Sequence, residues 1–209
     1  MFDRICAQYD FLNHLLSFGL DIHWRNLLSK HLPLKPSLKI LDLATGTADV
    51  IINLCQKNPN IVSANGIDLA EKMLSIGQNK IQRKGLADKI ILKKGDVNQI
   101  PFKDNEFDSA TIAFGIRNVD DPRVVLKEMY RVLDIEGRGL ILEFSLPKNL
   151  FIRKLHSFYL RNIVPFLGGL FSGDFKAYRY LNQTIETFPY GDKFCNLMRQ
   201  AGFNNVQSY

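Results

Sequence analysis

The stretch that decides the fold is Ile40-Leu-Asp-Leu-Ala-Thr-Gly-Thr-Ala-Asp49. Its apolar first half predicts a buried strand, Gly46 predicts a turn, and the residues that follow predict a helix. An acidic residue, Asp68, ends the next strand-like run, about twenty residues further along the chain. This layout is typical of α/β folds that bind a nucleoside-containing cofactor, because the turn admits the ligand to the backbone and the carboxylate binds ribose hydroxyls.

Strand and helix patterns alternate from this stretch onward, which predicts an α/β fold with a doubly wound, mostly parallel, Rossmann-like sheet. The predicted strands are 38–43, 61–67, 90–93, 107–114 and 139–144, and the predicted intervening helices are 48–56, 70–84 and 122–133. Two N-terminal helices, 11–18 and 22–32, are separated by Gly19, with Asp21 as the expected N-cap of the second. A C-terminal helical insertion is predicted at 150–167, 175–188 and 192–201, where Gly202 ends the last helix before a strand at 203–209.

A length of 209 residues favours a single domain. We divide it into an N-terminal helical cap (1–37), a cofactor-binding α/β core (38–146) and a helical substrate-side region (147–209). We expect the last of these to end in a truncated strand.

The composition favours some classes of partner and argues against others. The formal net charge of +6 suits an anionic membrane surface, a nucleic acid or an acidic substrate, although lysine-rich solvated helix faces explain it equally well. Three separated cysteines and four scattered histidines give neither a disulfide framework nor metal-ligand spacing. No run approaches the roughly 18 apolar residues of a membrane span, and no secretory signal pattern opens the chain.

The glycine turn fits a phosphate-containing cofactor poorly. A dinucleotide loop needs three glycines, but the corresponding positions here are Ala44, Gly46 and Asp49, and the aspartate would repel a pyrophosphate. The phosphate-binding Gly-x4-Gly-Lys-Ser/Thr pattern is absent as well. S-adenosylmethionine has no phosphate, and we expect Asp42 and Asp49 to face its positive charge and Asp68 to bind its ribose.

A third acidic turn, Gly95-Asp96-Val97, follows the third predicted strand and is expected to bind the adenine. Each of these features alone is commonly a fold connection or a helix cap. Together, in order after successive strands, they favour a class I S-adenosylmethionine-dependent methyltransferase.

The chain also resembles one family closely, the quinone-biosynthesis C-methyltransferases that methylate demethylmenaquinol and 2-polyprenyl-6-methoxy-1,4-benzoquinol. The resemblance covers almost the whole chain, and a weaker match continues from Tyr178 to Phe203. Its main segments are Tyr9-Asp-Phe-Leu-Asn13 with Leu16-Ser-Phe-Gly-Leu20 and His23-Trp24, then Asp42–Asp49, then Ala113-Phe-Gly-Ile-Arg-Asn-Val119, then Arg131-Val-Leu133 with Gly139 and Leu142-Glu-Phe-Ser145.

Carried over by position, this resemblance implies that Thr47, Asp68, Asp96 and Val97 bind the cofactor, next to the Gly46 turn. Ala113 stands where relatives have a serine, so a side-chain hydrogen bond to the cofactor is lost there. The family's usual Pro-Gly-Gly after Arg-Val-Leu is replaced by residues 135–139, which we expect to form a surface turn.

The implied acceptor is a ring carbon of a quinol, which becomes nucleophilic when a neighbouring hydroxyl ionises. A phenol has a pKa near 10, so the site needs a base or a positive charge. We expect Arg117 to stabilise the phenolate or orient water, Asn118 to orient a ring oxygen, and Glu143 to serve as a candidate base. In the structural alternatives, Arg117 pairs with Asp120 or Asp121, Asn118 caps the following helix, and Glu143 pairs with a lysine.

A prenylated quinol carries a long isoprenoid tail, and the segment 150–170 mixes apolar and basic residues. This pattern is typical of peripheral membrane contact, although a core-facing helix with a charged outer face would look similar. Tyr9, Asp10 and His23 are weaker candidates to close over the site. We expect no nucleic acid partner, and either a homodimer or a quinone-biosynthesis complex. The expected location is cytoplasmic at the inner membrane in a bacterium, or the matrix side of the mitochondrial inner membrane in a eukaryote.

Two other functions remain open at this point. One is a methyltransferase of the same fold that acts on another small molecule or on RNA. The other is a non-catalytic lipid-binding or scaffold homologue that keeps the fold.

Overall fold

The computed structural model describes residues 14, 17, 19–147, 149–172 and 175–209. Within these residues the strands form one parallel sheet with the order β3-β2-β1-β4-β5. The strands are β1 Leu38–Leu43, β2 Ile61–Asp68, β3 Ile90–Lys94, β4 Phe107–Ala113 and β5 Leu133–Leu142. The predicted doubly wound α/β fold is confirmed.

Strand β1 lies at the centre of the sheet because it is apolar on both faces. Leu38, Ile40, Leu41 and Leu43 are completely buried, as expected for an inner strand covered by helices on both sides. β1 pairs in parallel with both β2 and β4, and the order of the sheet reverses between β1 and β4. In open α/β sheets, ligands bind in the crevice beyond the carboxyl ends of the strands at such a reversal.

The helices cover the two faces of the sheet. Their bounds are α1 Leu20–Lys30, α2 Asp49–Lys57, α3 Glu71–Arg83, α4 Pro122–Val132, α5 Leu150–Phe158, α6 Val164–Ser172, α7 Phe175–Thr187 and α8 Asp192–Gln200. One core cluster joins α1, α2 and α3 to the sheet through residues such as Leu28, Ile51 and Ile81. The other joins α4 and α8 to the opposite face through residues such as Met129 and Met198.

The beginning of α1 differs from its prediction. Gly19, with φ of 74°, is the N-cap, whereas Asp21 lies in the first turn and is buried. Its side chain accepts the Ser17 hydroxyl at 2.8 Å and pairs with Arg25 at 3.2 Å, so a longer-range network holds it away from the capping position. The other predicted N-terminal helix, 11–18, lies largely outside the described residues.

Strand β5 begins six residues earlier than predicted. Leu133 already pairs with Phe107, and Arg138 pairs with Ser109. The extra residues of β5 form a bulge in which Ile135 is 95% exposed. The expected surface turn at 135–139 is therefore a bulge within a longer strand.

The predicted last strand at 203–209 is wrong, since these residues adopt no strand conformation. Gly202 ends α8 as expected, with φ of 111°. Phe203 then packs against Tyr130, with ring centroids 5.3 Å apart, and Asn205 has φ of 54°. This left-handed backbone interrupts the extended conformation that a strand requires.

The C-terminal helical region is also more irregular than predicted. A π-helical turn at Tyr159–Ile163 separates α5 from α6, where a continuous helix was expected. Helix α7 then lies against the 3₁₀ turn Ile116–Asn118, which follows β4. Among the residues that the structure describes, no helix combines the length and the apolar character that crossing a bilayer requires.

Candidate active site

The loop after β1 is shaped by left-handed backbone. Ala44, Gly46 and Ala48 have φ of 50°, 55° and 66°. Such conformations cost an alanine free energy and are concentrated at functional sites, where the surrounding structure enforces them. A Cβ at Gly115 would lie 2.8 Å from the Cβ of Ala44, so this glycine permits the loops after β1 and β4 to touch.

Asp68 joins the loops after β1 and β2. The backbone N–H of Gly46 donates to its Oδ2 at 2.8 Å, and the N–H of Ala70 donates to its Oδ1 at 2.8 Å. An ionised carboxylate offers about four acceptor positions, so each oxygen keeps capacity for another donor. The carboxylate is thus fixed in orientation and can accept two hydroxyl protons, as a ribose diol requires.

Asp42 lies in the last part of β1, where it is 1% exposed. Burial raises the pKa of Asp42 to about 6, while hydrogen bonds from Thr111 and Thr45 favour its ionised form. These hydroxyls donate to its two oxygens at 2.5 Å and 2.6 Å. Asp42 therefore links β1 to β4 and to the loop through buried hydrogen bonds. The expectation that it faces a ligand's charge is wrong.

Asp49, at the start of α2, is neutralised by the chain's own cations. Arg25 of α1 lies 2.9 Å from one of its oxygens, and Lys80 of α3 lies 2.6 Å from the other. Lys80 also donates to the Thr47 hydroxyl at 3.0 Å, and Arg25 also pairs with Asp21 at 3.2 Å. Two cations balance two carboxylates, so the network adds no surplus positive charge that would attract a phosphate to the loop.

The remaining predicted cofactor residues lie at the same edge of the sheet. Asp96 follows β3, and its Oδ1 accepts from the backbone and side chain of Asn98 at 2.8 Å and 2.9 Å. Val97 is buried, and a groove of about 670 Å³ lies beside Asp96. Ala113 ends β4 and pairs with Leu142. Gly46 and Asp68 are in direct contact with each other. Asp96 and Val97 lie just after the end of β3, and Ala113 is the last residue of β4.

Arg117 and Glu143 form an ion pair just beyond β4 and β5, with side chains only 5% and 8% exposed. The N–H of Phe144 donates to Glu143 Oε1 at 2.9 Å. Arg117 Nε and Glu143 Oε2 are buried without a hydrogen-bond partner in the described part of the chain. Burial raises the pKa of Glu143, and the nearby charge of Arg117 opposes that rise.

This pairing replaces the structural alternatives that the sequence left open. In the part of the chain that the structure describes, Arg117 pairs with neither Asp120 nor Asp121, and no lysine pairs with Glu143. Asp121 caps α4 by accepting the N–H of Arg123. Sequence reasoning chose both partners but missed the pair. The neighbouring parallel strands β4 and β5 were the available clue, since their carboxyl ends meet at one edge.

Three aromatic side chains that sequence reasoning did not assign to the site form a cluster, which contacts this pair through the Phe144 ring. The rings of Phe114 and Phe144 are 4.8 Å apart, and Trp24 of α1 lies 6.2 Å and 5.9 Å from them. Asn118 donates to the carbonyl of Phe114 at 3.3 Å instead of capping the next helix. His23 is exposed on α1, and Tyr9 and Asp10 lie outside the described residues.

The model of the ubiE/COQ5 methyltransferase family matches residues 1–209, the whole chain. This protein belongs to the ubiE/COQ5 methyltransferase family. It is 45% identical to the ubiquinone/menaquinone biosynthesis C-methyltransferase UbiE of Geotalea daltonii over its full length, which covers 88% of that relative. It is also 45% identical to the demethylmenaquinone methyltransferase of Thermotoga maritima, over 97% of this chain and 86% of that relative.

Solved structures support the fold of this family member. A SAM-dependent methyltransferase of Thermotoga maritima, described as a possible histamine N-methyltransferase, superposes with a TM-score of 0.67 at 20% identity. The match covers 98% of this chain and 80% of that one. The class I methyltransferase fold predicted from the cofactor loop is therefore confirmed.

Proposed function

We propose that this protein transfers a methyl group from S-adenosylmethionine to a ring carbon of a prenylated quinol in menaquinone or ubiquinone biosynthesis. The observation that carries the proposal is the buried Arg117–Glu143 pair, which has unpartnered polar atoms, in a ubiE/COQ5 family chain whose loop after β4, just before Arg117, touches the cofactor loop at Ala44. Relatives named for ubiquinone/menaquinone biosynthesis and for demethylmenaquinone support both acceptor classes.

The residues at the edge of the sheet fit S-adenosylmethionine. Asp68 offers a fixed carboxylate for a diol, and the two described cations next to this loop, Arg25 and Lys80, are already paired with Asp49. In this proposal Gly46, Thr47 and Asp68 hold the methionine and ribose parts, and Asp96 and Val97 hold the adenine. Bound S-adenosylmethionine supplies a methyl group already activated by its sulfonium, so the protein mainly has to align and activate the acceptor.

In this proposal Glu143 activates that acceptor. Its Oε2 has no partner and can accept the proton of a quinol hydroxyl, which leaves a phenolate and a nucleophilic ring carbon. Burial raises the pKa of Glu143, which makes its carboxylate a stronger base than an exposed one. Formation of the new carbon–carbon bond would break the methyl carbon–sulfur bond of the donor, which would leave as neutral S-adenosylhomocysteine. Loss of the ring-carbon proton to water would then restore the aromatic ring, and Glu143 would return its proton to the phenolate oxygen.

Arg117 stabilises the phenolate that Glu143 creates. Its guanidinium is held by Glu143 and the Phe144 ring, and its Nε remains available to a ring oxygen. A fixed charge of this kind needs no reorganisation during the reaction. Asn118 acts one step further away, because it holds the carbonyl of Phe114.

The test is methyl transfer to reduced demethylmenaquinol and to 2-polyprenyl-6-methoxy-1,4-benzoquinol, compared for the wild type and Glu143→Gln. We expect Glu143→Gln to lower kcat by about 10²- to 10⁴-fold, the usual contribution of a positioned base, while S-adenosylmethionine still binds. Glu128→Gln is the matched control, because Glu128 also pairs with an arginine, Arg131, but lies on α4. Bound S-adenosylmethionine with no transfer to either quinol would disprove the function, and full activity of Glu143→Gln would remove Glu143 as the base.

We further propose that the protein delivers its prenylated substrate from a membrane surface through α5 and the π-helical turn. Large apolar side chains of this segment are exposed instead of packed, including Leu150, Phe151, Leu155, Phe158 and Phe166 at 73%, 77%, 63%, 58% and 62%. A groove of about 540 Å³ along α5 is lined by Leu150 and Phe158 together with the basic residues Arg153, Lys154 and Arg161. Residues 149–172 contain no acidic residue.

An exposed apolar face with cations at its margin suits the boundary between headgroups and acyl chains of an anionic bilayer. Helix α7, which lies against the turn that carries Arg117, connects this segment to the acceptor end of the site. In a bacterium the surface would be the cytoplasmic face of the inner membrane, and in a eukaryote the matrix side of the mitochondrial inner membrane.

Co-sedimentation with phosphatidylglycerol vesicles tests the membrane proposal. The double variant Phe151→Ser/Leu155→Ser should lose vesicle binding, whereas Ile135→Ser, which removes a 95% exposed apolar side chain from the β5 bulge, should not. Equal binding by all three proteins would contradict the proposal. A homodimer or a quinone-biosynthesis complex stays a prediction.

A further inference from the structure

The aromatic residues beyond β4 and β5 form a continuous wall. Phe114 follows β4 directly, Phe144 lies two residues after β5, and Trp24 reaches them from α1. The Trp24 and Phe144 rings meet edge to face at 5.9 Å, and the Phe114 and Phe144 rings are tilted by 33° at 4.8 Å. Three separate parts of the fold thus place their rings at the edge where ligands bind.

The wall differs from the aromatic core of the protein. Phe107, in β4, is 2% exposed, whereas all three rings of the wall are only partly buried. Partly buried aromatic rings at the carboxyl edge of a sheet leave apolar surface for a ligand to cover. Packing of the sheet alone does not require this surface, since the two core clusters lie on the faces of the sheet.

The backbone holds Phe114 in an unfavourable conformation. Its φ of 56° is rare for a bulky residue and persists only when other contacts enforce it. Its N–H donates to the carbonyl of Leu142 at 2.8 Å, and its carbonyl accepts from Asn118 at 3.3 Å. The strand end and Asn118 therefore fix the direction of this ring.

Polar groups lie at the margin of the wall. The Arg117 guanidinium is 5.2 Å from the Phe144 ring centre, and Glu143 precedes Phe144 in the chain. The Phe114 and Phe144 faces, with Trp24 meeting Phe144 edge to face, and the arginine and carboxylate beside them, match a flat ring that carries hydroxyl groups. Offset stacking of such rings is favourable beyond the area that they bury.

We propose that Trp24, Phe114 and Phe144 are the surface on which the acceptor ring stacks, and that they select an aromatic quinol over other acceptors. This inference rests on the proposed function. The alternative, that the rings attract the sulfonium of the methyl donor, is less favourable, because the Phe144 ring already interacts with the cationic guanidinium of Arg117.

The test compares Phe144→Leu and Trp24→Leu with Phe203→Leu as the matched control. Phe203 also makes an edge-to-face pair, with Tyr130 at 5.3 Å, but it lies away from the site. We expect both wall variants to raise KM for the quinol by about 3- to 10-fold, the factor that corresponds to the free energy of one aromatic pair. Their Kd for S-adenosylmethionine should stay unchanged, and Phe203→Leu should keep the wild-type KM.

Further measurements separate stacking from simple loss of structure. Phe144→Tyr should restore the KM that Phe144→Leu loses, and Trp24→Phe should raise KM less than Trp24→Leu. An unchanged KM in both leucine variants would overturn the inference. So would weaker binding of S-adenosylmethionine with unchanged binding of the neutral S-adenosylhomocysteine, because that pattern identifies a sulfonium site. A wild-type protein that methylates no quinol would instead count against the proposed function.

Discussion

Replacement of Arg25 by methionine tests whether the ion network behind the cofactor loop stabilises the fold. The Arg25 side chain is 11% exposed and joins Asp21, which is 4% exposed, to Asp49 on α2. Methionine keeps most of the apolar stem and removes the charge. The substitution therefore leaves a buried carboxylate without its main cation.

The expected loss of stability follows from the contacts that remain. Removing one partner of a buried ion pair costs about 3–5 kcal/mol. Asp21 keeps the Ser17 hydroxyl at 2.8 Å and the His14 imidazole at 2.6 Å, and Asp49 keeps Lys80 at 2.6 Å, so we expect the lower end, about 3 kcal/mol. For a domain of this size, 1 kcal/mol shifts Tm by about 2–4 °C, which gives a decrease of about 6–12 °C.

Thermal unfolding followed by circular dichroism measures this decrease. Lys94→Met is the matched control, because Lys94 and Glu71 also pair at 2.7 Å but their side chains are 60% and 70% exposed. Exposed pairs contribute little, so the control should keep the wild-type Tm. If Arg25→Met lowers Tm no more than Lys94→Met, the network does not stabilise the loop as we argue.

Three other predictions concern carboxylates at the edge of the sheet. Asp68→Asn should raise the Kd for S-adenosylmethionine by about tenfold or more, because a hydrogen bond to a charged carboxylate is lost. Calorimetry measures this Kd, and an unchanged value would contradict the role of Asp68. Because burial raises the pKa of Glu143, kcat should fall at low pH, and the midpoint of that fall should lie above 4.5, the ordinary pKa of a glutamate. The kcat of Glu143→Gln should not show this fall. Burial raises the pKa of Asp42 from 3.8 to about 6, so the folded state holds this proton more tightly, and the associated stability is present below pH 3.8 and lost as pH rises through 6. In urea unfolding, Asp42→Asn should remove about 3 kcal/mol from the change in the free energy of unfolding with pH. If the variant and the wild type show the same change with pH, Asp42 does not cause it.

The cofactor half of the site was predictable because its pattern is local. β1 is buried on both faces, so its sequence is a continuous apolar run, and Gly46 and Asp68 follow strand ends at the expected spacing. Asp49 was misjudged because its partners, Arg25 and Lys80, lie 24 and 31 residues away. No local pattern predicts an ion pair over such a distance.

The acceptor half depended more on tertiary structure. Arg117 and Glu143 were both chosen from the sequence, but their contact spans 26 residues and follows from the register of β4 and β5. The bulge of β5 and the π-helical turn at Tyr159–Ile163 are local irregularities that hydrophobic periodicity does not reveal. Residues 203–209 form no strand because the backbone of Asn205 is left-handed. The strand-like composition of this segment gives no sign of that conformation.

The most direct test of the account is the position of the transferred methyl group. The protein is incubated with S-adenosylmethionine carrying a ¹³C-labelled methyl and with a reduced prenylated quinol, and the product is analysed by NMR. We predict that the label appears on a ring carbon, because Glu143 and Arg117 generate a phenolate whose ring carbon attacks. Label on a ring oxygen as a methyl ether, or no transferred label while S-adenosylmethionine is bound, would contradict the account.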